Sequence, residues 1–273
     1  MKKAEINRNI KAHDSISDDY ERMHSEIFNP IEQERLRKAL DFCSLQVGTG
    51  AAKKTALDYG CGSGNLSSHL IQLGFSVISA DVSRNFLKKT AEKFASTGTC
   101  RALMVNGSDL SGVKDGVFDL SAAYSVLHHV PDYLGLIKEL IRVTRPGGII
   151  YLDHERNDSF WEHDPTYIEF LKKAKSKTKF SLKDFIQKYT RPSNYIDGLL
   201  RFFRPRYQRE GDIHVWPDDH IEWEEVEKIL SGSCCRILLK QNYLLFNKYP
   251  RDIYHDFKDK CSDYRLIAAR KGY

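Results

Sequence analysis

Three glycines stand at alternate positions directly after a short apolar run, in residues 56–70, which read ALDYGCGSGNLSSHL. Glycine has no Cβ, so it permits a tight turn and lets backbone N–H groups come close to a ligand. A glycine-rich turn between a first strand and a helix is typical of nucleotide sites. Gly60, Gly62 and Gly64 are therefore predicted to face a ligand. A tight turn without a ligand is the alternative interpretation.

Two carboxylates follow the next two predicted strands. Asp81 ends the segment SVISAD, and Asp109 lies in NGSDL after the third strand. A carboxylate at the first of these positions can accept hydrogen bonds from both hydroxyls of a ribose, and one at the second can reach the amino group of an adenine. Together with the glycine turn they indicate a ligand that contains adenosine. Helix capping is the alternative role for each carboxylate.

Groups suited to proton transfer follow the fourth and fifth predicted strands. His128 and His129 occur in YSVLHHV, and His154 and Glu155 occur in YLDHERN. Histidine titrates near neutrality, which suits a general base. These four residues are the predicted catalytic candidates, although an architectural role for the His-His pair stays open. His214 and His220 are weaker candidates, for which packing at the surface is the favoured interpretation.

These residues need a scaffold that brings the ends of several strands together, and the apolar periodicity supplies one. Strands are predicted at 55–59, 76–80, 101–105, 118–124 and 149–153, with helices between them at 65–73, 83–95 and 132–144. A helix at 218–230 and strands at 235–246 and 263–271 follow. Strands that alternate with helices over short connections form a parallel sheet covered on both faces. Such sheets bind ligands beyond the carboxyl ends of their strands.

The domain prediction is a single domain over residues 1–273. It carries an N-terminal helical cap at 1–48 and a helical lid insertion at 156–215, after the fifth strand. Within the insertion, short helices are predicted at 164–175, 181–189 and 193–203, with no convincing strand.

The composition is that of an ordinary soluble protein, with 41% apolar and 29% charged residues and a formal net charge of +5. The start of the chain lacks the apolar stretch of a secretory signal, and no apolar run reaches the length of a membrane span. The six cysteines form no CxxC pair, which argues against a zinc site or a disulfide framework. A cytoplasmic location is expected.

The motifs LDYGCGSGNLS, ISADVS, NGSDL, FDLSAAYSVLHHVPD and RVTRPGGIIYLD, in this order, resemble those of class I S-adenosylmethionine-dependent methyltransferases. The resemblance implies an α/β fold with a seven-stranded Rossmann-like sheet of order 3-2-1-4-5-7-6, whose seventh strand is antiparallel. It implies S-adenosyl-L-methionine as the cofactor. It also implies that the cofactor is held by Tyr20, Asp58, Gly60, Cys61, Gly62, Gly64, Asp81, Val82, Asp109, Leu110 and Tyr124.

The family resemblance leaves the methyl acceptor open, and the composition of one segment bears on it. Residues 172–209 contain twelve Lys or Arg and two Asp, interleaved with aromatic residues. Arginine binds carboxylate or phosphate groups through two parallel hydrogen bonds. The cluster Arg201, Arg204, Arg206 and Arg209 therefore favours a carboxylated or phosphorylated small-molecule acceptor, methylated on O or N. A solvated lid surface is the alternative.

Other classes of function are disfavoured. No metal is expected, because the residues directly after the fourth strand lack the Asp and Asn ligands of metal-dependent relatives. A nucleic-acid methyltransferase is an alternative, but the pI of about 8.7 is modest for one. A catalytically idle module that only binds the cofactor is the remaining alternative. A nicotinamide enzyme would need a second nucleotide-binding half after the fourth strand.

Overall fold

The protein is described here by a computed structural model, which covers residues 2–47, 54–177, 202–203, 206–208 and 210–273. Its central sheet has seven strands in the order β3-β2-β1-β4-β5-β9-β8, and a separate two-stranded sheet pairs β6 with β7. The strands are β1 Thr55–Tyr59, β2 Ser76–Asp81, β3 Cys100–Met104, β4 Phe118–Tyr124, β5 Thr144–Arg156, β6 Val215–Trp216, β7 Asp219–His220, β8 Cys235–Tyr243 and β9 Tyr264–Lys271.

Because β6 and β7 lie outside the large sheet, its order is 3-2-1-4-5-7-6 when only its own strands are numbered. The first five strands pair in parallel, and β9 is antiparallel to both β5 and β8. The predicted Rossmann-like methyltransferase topology is confirmed. Parallel pairing of β1 with β2 and β4 brings the carboxyl ends of these strands, with the residues that follow them, to one edge.

The helices of the described residues are α1 Lys2–Ile16, α2 Tyr20–Met23, α3 Pro30–Gln46, α4 Asn65–Gln72, α5 Arg84–Lys93, α6 Tyr133–Val143, α7 Asp158–Trp161, α8 Pro165–Lys177, α9 Trp223–Gly232 and α10 Arg251–Phe257. A short 3₁₀ turn, Leu127–His129, follows β4. None of these helices is both long enough and apolar enough to cross a bilayer.

The core lies on both faces of the sheet, as a parallel sheet requires. All seven residues of β4 are buried, since this strand lies at the centre and has neighbours on every side. On one face it is covered by α6 and α9, through residues such as Leu136 and Trp223. On the other face α3 and α4 contribute Leu40 and Leu70.

Several predicted boundaries are wrong. The fifth strand begins at Thr144 rather than 149, because Thr144 pairs with Phe118 before the Pro-Gly-Gly segment shifts the register. The helix predicted from 218 begins at Trp223, since Asp219–His220 pairs with Val215–Trp216 as an extra hairpin. Helix α10 was not predicted from the sequence.

The insertion is described only in part. Helix α8 agrees with the helix predicted at 164–175. The helix predicted at 181–189 and most of that at 193–203 lie outside the described residues. The N-terminal segment contains the helices α1, α2 and α3, and its assignment as a cap stays a prediction.

Candidate active site

A cleft of about 870 Å³ opens beyond the carboxyl ends of β1, β2 and β4. Residues from the predicted cofactor set that line the cleft are Tyr20, Asp58, Gly60, Cys61, Gly62, Asp81, Val82 and Tyr124. The structure thus brings together eight of the eleven residues predicted for the cofactor.

The glycine turn joins β1 to α4, and each of its three glycines has a positive φ. A Cβ at Gly60 would lie 2.4 Å from Val126 Cγ2, and one at Gly64 would lie 2.8 Å from Phe94 Cε2. At Gly62 the nearest atom would be Tyr20 Cε1, at 3.9 Å. Two of the glycines are therefore required by the packing of the protein itself, and Gly62 is the one with open space beside it.

Asp81 is buried at the end of β2, and its carboxylate is held by the neighbouring backbone. It accepts hydrogen bonds from Gly62 N at 2.9 Å and from Ser83 N at 2.8 Å. Burial raises the pKa of Asp81 to about 6, although these N–H groups favour its ionised form. The carboxylate both fixes the glycine turn and lines the cleft.

Asp58, at the carboxyl end of β1, lies deeper in the cleft wall. Its Oδ2 accepts a hydrogen bond from Ser67 Oγ at 2.6 Å, and burial raises its pKa to about 7. Tyr124 lines the same cleft, and its hydroxyl donates to Glu32 Oε1 at 2.9 Å.

Three residues of the predicted cofactor set do not line this cleft. Gly64 caps α4 behind the turn. Asp109 lines a neighbouring groove that shares Ile6, Val82 and Val105 with the cleft. Leu110 is buried, and its N–H donates to Glu139 Oε2 at 2.9 Å.

A second cavity, of about 960 Å³, adjoins the first. Tyr20, Ile27, Ser125 and His129 line both, so the two cavities share a wall. The second cavity is rich in ionisable side chains: His24, Glu26, His128, His129, His154, Glu155, Arg156, Glu210, Asp212 and His214. All four predicted catalytic candidates are among them.

His128 and Glu155 form a buried pair in the second cavity. His128 Nδ1 lies 2.7 Å from Glu155 Oε2, while Glu155 Oε1 accepts from Val126 N at 2.9 Å and from Leu127 N at 2.7 Å. Burial opposes a charge on His128, but the Coulombic attraction and hydrogen bond of Glu155 outweigh it and raise its pKa to about 9. Glu155 thus orients the imidazole.

His154 lies near the C-terminal end of β5, with φ 65, and Ser125 after β4 has φ 57. Positive φ is uncommon outside glycine and costs free energy. His154 Nδ1 is 3.2 Å from Ser125 Oγ, and the ring lies between the rings of Tyr124 and Tyr264. Burial holds the pKa of His154 well below its usual value, so this imidazole is neutral at pH 7.

His129 is on the wall between the two cavities. Burial, and after it the proximity of His128, lowers the pKa of His129 well below its usual value. Its ring packs edge-on against His13 of α1 at 4.7 Å between centroids. Its Nδ1 lies 3.3 Å from Asp212 Oδ1.

The sequence analysis did not identify six residues that line the two cavities. Five of them lie far along the chain from the ends of the first four strands, namely Asn9 and His13 of α1, His24 after α2, and Glu210 and Asp212 near the end of the insertion; the sixth is Ser125. Only Ser125 had a usable signal, its place directly after the fourth strand. His214 lines the second cavity, and its ring contacts Asp219 Oδ1 at 2.5 Å. His220 stacks on Trp161 with 4.8 Å between ring centroids.

Of the arginine cluster predicted to contact the acceptor, Arg206 is described, and it forms an ion pair with Asp218. Arg201, Arg204 and Arg209 lie outside the described residues. Arg156 is a cation in the second cavity itself; it pairs with Asp263 Oδ2 at 2.8 Å and packs over the rings of Phe160 and Tyr264.

Part of the chain is similar in sequence to known methyltransferases. Residues 57–152 match the family model described as a methyltransferase domain. A demethylmenaquinone methyltransferase from Anoxybacillus flavithermus is 32% identical over 152 residues, which are 54% of this chain and 62% of that protein. A ubiquinone biosynthesis O-methyltransferase from Methylococcus capsulatus is 29% identical over 108 residues, 39% of this chain and 46% of that protein. The chain therefore matches less than two thirds of the length of these relatives.

Solved structures share the fold. The YcgJ protein from Bacillus subtilis superposes with a TM-score of 0.53 at 14% identity, over 88% of this chain and 99% of that one. A SAM-dependent methyltransferase from Methanosarcina mazei gives a TM-score of 0.51 at 20% identity, over 81% of this chain and 94% of that one.

Proposed function

We propose that the chain is a class I, S-adenosylmethionine-dependent methyltransferase and transfers a methyl group from S-adenosylmethionine to a small-molecule acceptor; the match of residues 57–152 to the model of a methyltransferase domain supports this. The observation that carries this proposal is the pair of adjoining cavities. The first cleft has a buried carboxylate, a glycine turn and apolar side chains, which suit an adenosine ligand. The second cavity has histidine and aromatic side chains, which suit a methyl acceptor. The two cavities meet at a wall of four residues.

The residues of the first cleft fit the cofactor. The buried carboxylate of Asp81 faces a cleft in which ribose hydroxyls would find an acceptor, and charged hydrogen bonds of this kind contribute about 1.5–3 kcal/mol each. The open space beside Gly62 lets a ligand approach the backbone. Val82 and Phe86 offer an apolar surface for a base.

When bound, S-adenosylmethionine supplies a methyl group on a positively charged sulfur. The chain must hold the acceptor atom in line with that group, and alignment of this kind contributes roughly 7–11 kcal/mol. The shared wall of Tyr20, Ile27, Ser125 and His129 is where we propose that the transfer occurs. His128, oriented by Glu155, and His129 are proposed to contact the acceptor atom.

The acceptor proposed here carries a ring with a hydroxyl or amine. Tyr20, Phe160, Trp161 and Tyr264 line the second cavity and offer flat apolar surface. Two relatives are named as demethylmenaquinone methyltransferase and ubiquinone biosynthesis O-methyltransferase, and both names refer to quinones. We also propose that the acceptor is anionic, carboxylated or phosphorylated. The basic composition of residues 172–209 and the presence of Arg156 in the cavity support this charge.

The experiment has two independent parts. Calorimetry measures the binding of S-adenosylmethionine and of S-adenosylhomocysteine, its demethylated product. A transfer assay with a methyl-labelled cofactor then screens phenols, hydroquinones and their carboxylated or phosphorylated derivatives. Asp81→Asn is expected to weaken cofactor binding by roughly 30- to 150-fold, which corresponds to about 2–3 kcal/mol. Asp256→Asn, on the exposed surface of α10, is the matched control and should change nothing.

Each part has an outcome that opposes the proposal. Unchanged cofactor affinity in a folded Asp81→Asn variant would refute the ribose contact. Tight cofactor binding without transfer to any small molecule would favour the idle module. Transfer of label to RNA or DNA, and not to small molecules, would favour the nucleic-acid enzyme.

A further inference from the structure

We propose that His128, His129 and Asp212 together bind a divalent transition-metal ion, with Zn²⁺ as the best match. The three side chains each place one ligand atom within 4.8 Å of the other two, among the residues that the structure describes. They line the second cavity, so an ion held by them would be reached from that cavity. The sequence analysis expects no metal, because the residues directly after the fourth strand include no Asp or Asn ligand.

The ligand atoms are already close to the spacing that an ion imposes. His129 Nδ1 and Asp212 Oδ1 lie 3.3 Å apart, and neither atom hydrogen-bonds to any residue in the described part of the chain. Ligands about 2.0–2.2 Å from a tetrahedral ion are about 3.4 Å from one another. The ligand atom of His128 lies within 4.8 Å of both.

The Nδ1 atom of His128 contacts a carboxylate, as the second ring nitrogen of a metal-binding histidine usually does. This contact, with Glu155 Oε2 at 2.7 Å, leaves Nε2 to act as the ligand. A histidine that binds a metal usually donates its other N–H to a carboxylate or carbonyl, which fixes the ring and raises its basicity. Glu155 is itself fixed by the N–H groups of Val126 and Leu127.

Backbone hydrogen bonds hold the three ligands together. Ile213 N and His214 N, directly after Asp212, donate to His128 O at 2.9 and 3.1 Å. Asn9 Nδ2 of α1 donates to His129 O at 2.9 Å. Residues 212–214 are thus attached to the 3₁₀ turn after β4, and this attachment holds Asp212 beside the two histidines.

The donor set selects the class of ion. Two imidazoles and one carboxylate suit Zn²⁺ and the neighbouring first-row ions, whereas Ca²⁺ and Mg²⁺ prefer an all-oxygen set. Three protein ligands leave an open position on the ion, as in catalytic zinc sites. His24, Glu210 and Arg156 also line the cavity, so the ion would lie among groups of both signs.

A role of the ion in binding the acceptor rests on the proposed function. The open position would face the cavity assigned to the acceptor, so an acceptor hydroxyl can bind to the ion there. A bound cation lowers the pKa of a coordinated hydroxyl. His128 and His129 would then contact the acceptor through the ion.

The test measures metal binding directly on the untagged, full-length chain, without the cofactor or an acceptor. After dialysis against a chelator, the chain is titrated with Zn²⁺ by calorimetry, and the metal content is measured by mass spectrometry. Co²⁺ is the spectroscopic probe, because tetrahedral N/O coordination gives it visible absorption bands. We expect one ion per chain. Asp212→Asn and His129→Gln should each lower Zn²⁺ affinity at least tenfold, and Glu155→Gln should lower it by roughly 10- to 100-fold.

His255→Gln and Asp256→Asn, both exposed on α10, are the matched controls and should retain full affinity. Circular dichroism and cofactor binding establish that each variant is folded. No stoichiometric binding of Zn²⁺ or Co²⁺ would overturn the proposal, and so would binding that survives both Asp212→Asn and His129→Gln. Metal binding without methyl transfer would leave this site standing and refute the proposed function. Full transfer by the chelated enzyme would refute the acceptor-binding role of the ion and leave the methyl transfer standing.

Discussion

At the scale of single residues, the glycine turn shows how one motif serves both folding and binding. Gly60 and Gly64 lie against Val126 and Phe94, and all three glycines have positive φ. A side chain at position 60 would enter space that the protein already fills. At position 62 the same side chain would point toward the cleft. The alternation of glycines thus combines two packing requirements with one requirement for an open approach to the backbone.

The first prediction separates these two requirements. Gly60→Ala adds left-handed strain and a clash with Val126, and together these should lower the free energy of unfolding by about 2–4 kcal/mol. Gly62→Ala adds only the strain, about 1–2 kcal/mol. Urea denaturation of both variants measures the difference. Adding Val126→Ala to Gly60→Ala should restore part of the loss; equal destabilisation by the two glycine variants would contradict the packing argument.

A second prediction concerns pH. Burial raises the pKa of Asp81 to about 6, and ribose hydroxyls would donate to its ionised form. Cofactor affinity should therefore be constant above about pH 7 and fall as pH drops through 6, approaching tenfold per pH unit. Calorimetry between pH 5 and 8 measures this. The Asp81→Asn variant is the control for other titrating groups, Asp58 included. If it shows the same pH profile as the natural chain, Asp81 is not the titrating group.

At the scale of elements, helix α3 contributes to a buried charge network that contacts one lining residue of each cavity. Arg35 contacts Glu32 Oε1 at 2.5 Å and Asp153 Oδ2 at 2.8 Å. Glu32 accepts from the Tyr124 hydroxyl, and Asp153 Oδ1 accepts from His154 N at 2.7 Å. Helix α3 therefore helps to position Tyr124 in the first cleft and His154 in the second cavity. Removal of the Arg35 guanidinium would leave the buried carboxylates of Glu32 and Asp153 without a neighbouring positive charge.

The third prediction tests this network with two arginines of the same helix. Arg35→Leu should lower the free energy of unfolding by about 3–5 kcal/mol, because an uncompensated buried charge is costly. Arg37→Leu removes an exposed arginine that pairs with Glu34 and Asp41, and should lower the stability far less, because solvent screens exposed ion pairs. Urea denaturation at pH 7 compares them. Burial raises the pKa of Glu32, so the deficit of Arg35→Leu should shrink as pH falls. Similar losses in the two variants would show that the network contributes little.

At the scale of the whole molecule, the charge is unevenly distributed. The chain has a net charge of +5, yet residues 172–209 alone hold twelve basic and two acidic residues. In the described part, the walls of the second cavity carry both signs. The field of the molecule, more than any single ion pair, is what would draw in a charged acceptor.

The fourth prediction follows from that field. For an anionic acceptor, raising the ionic strength from about 0.02 to 0.2 M should raise KM several-fold and leave kcat nearly unchanged, since salt screens attraction at a distance. Charge reversal of Arg204 and Arg206 together should raise the acceptor KM without changing cofactor affinity. Steady-state kinetics with a neutral analogue of the acceptor is the control. A KM independent of salt would indicate that the basic segment is only solvated surface.

The sequence by itself indicated the seven strands of the large sheet, most of the helices between them and eight residues that line the first cleft, while the strand order came from the family resemblance. These follow from apolar periodicity and from motifs placed directly at strand ends, which are local signals. The tertiary structure alone decided which distant residues complete the site. His13 of α1, Arg35 of α3 and Asp212 near the end of the insertion reach the strand ends through packing and hydrogen bonds over long sequence separations. The role of Gly60 was hidden for the same reason, because its neighbour Val126 comes from a different strand end.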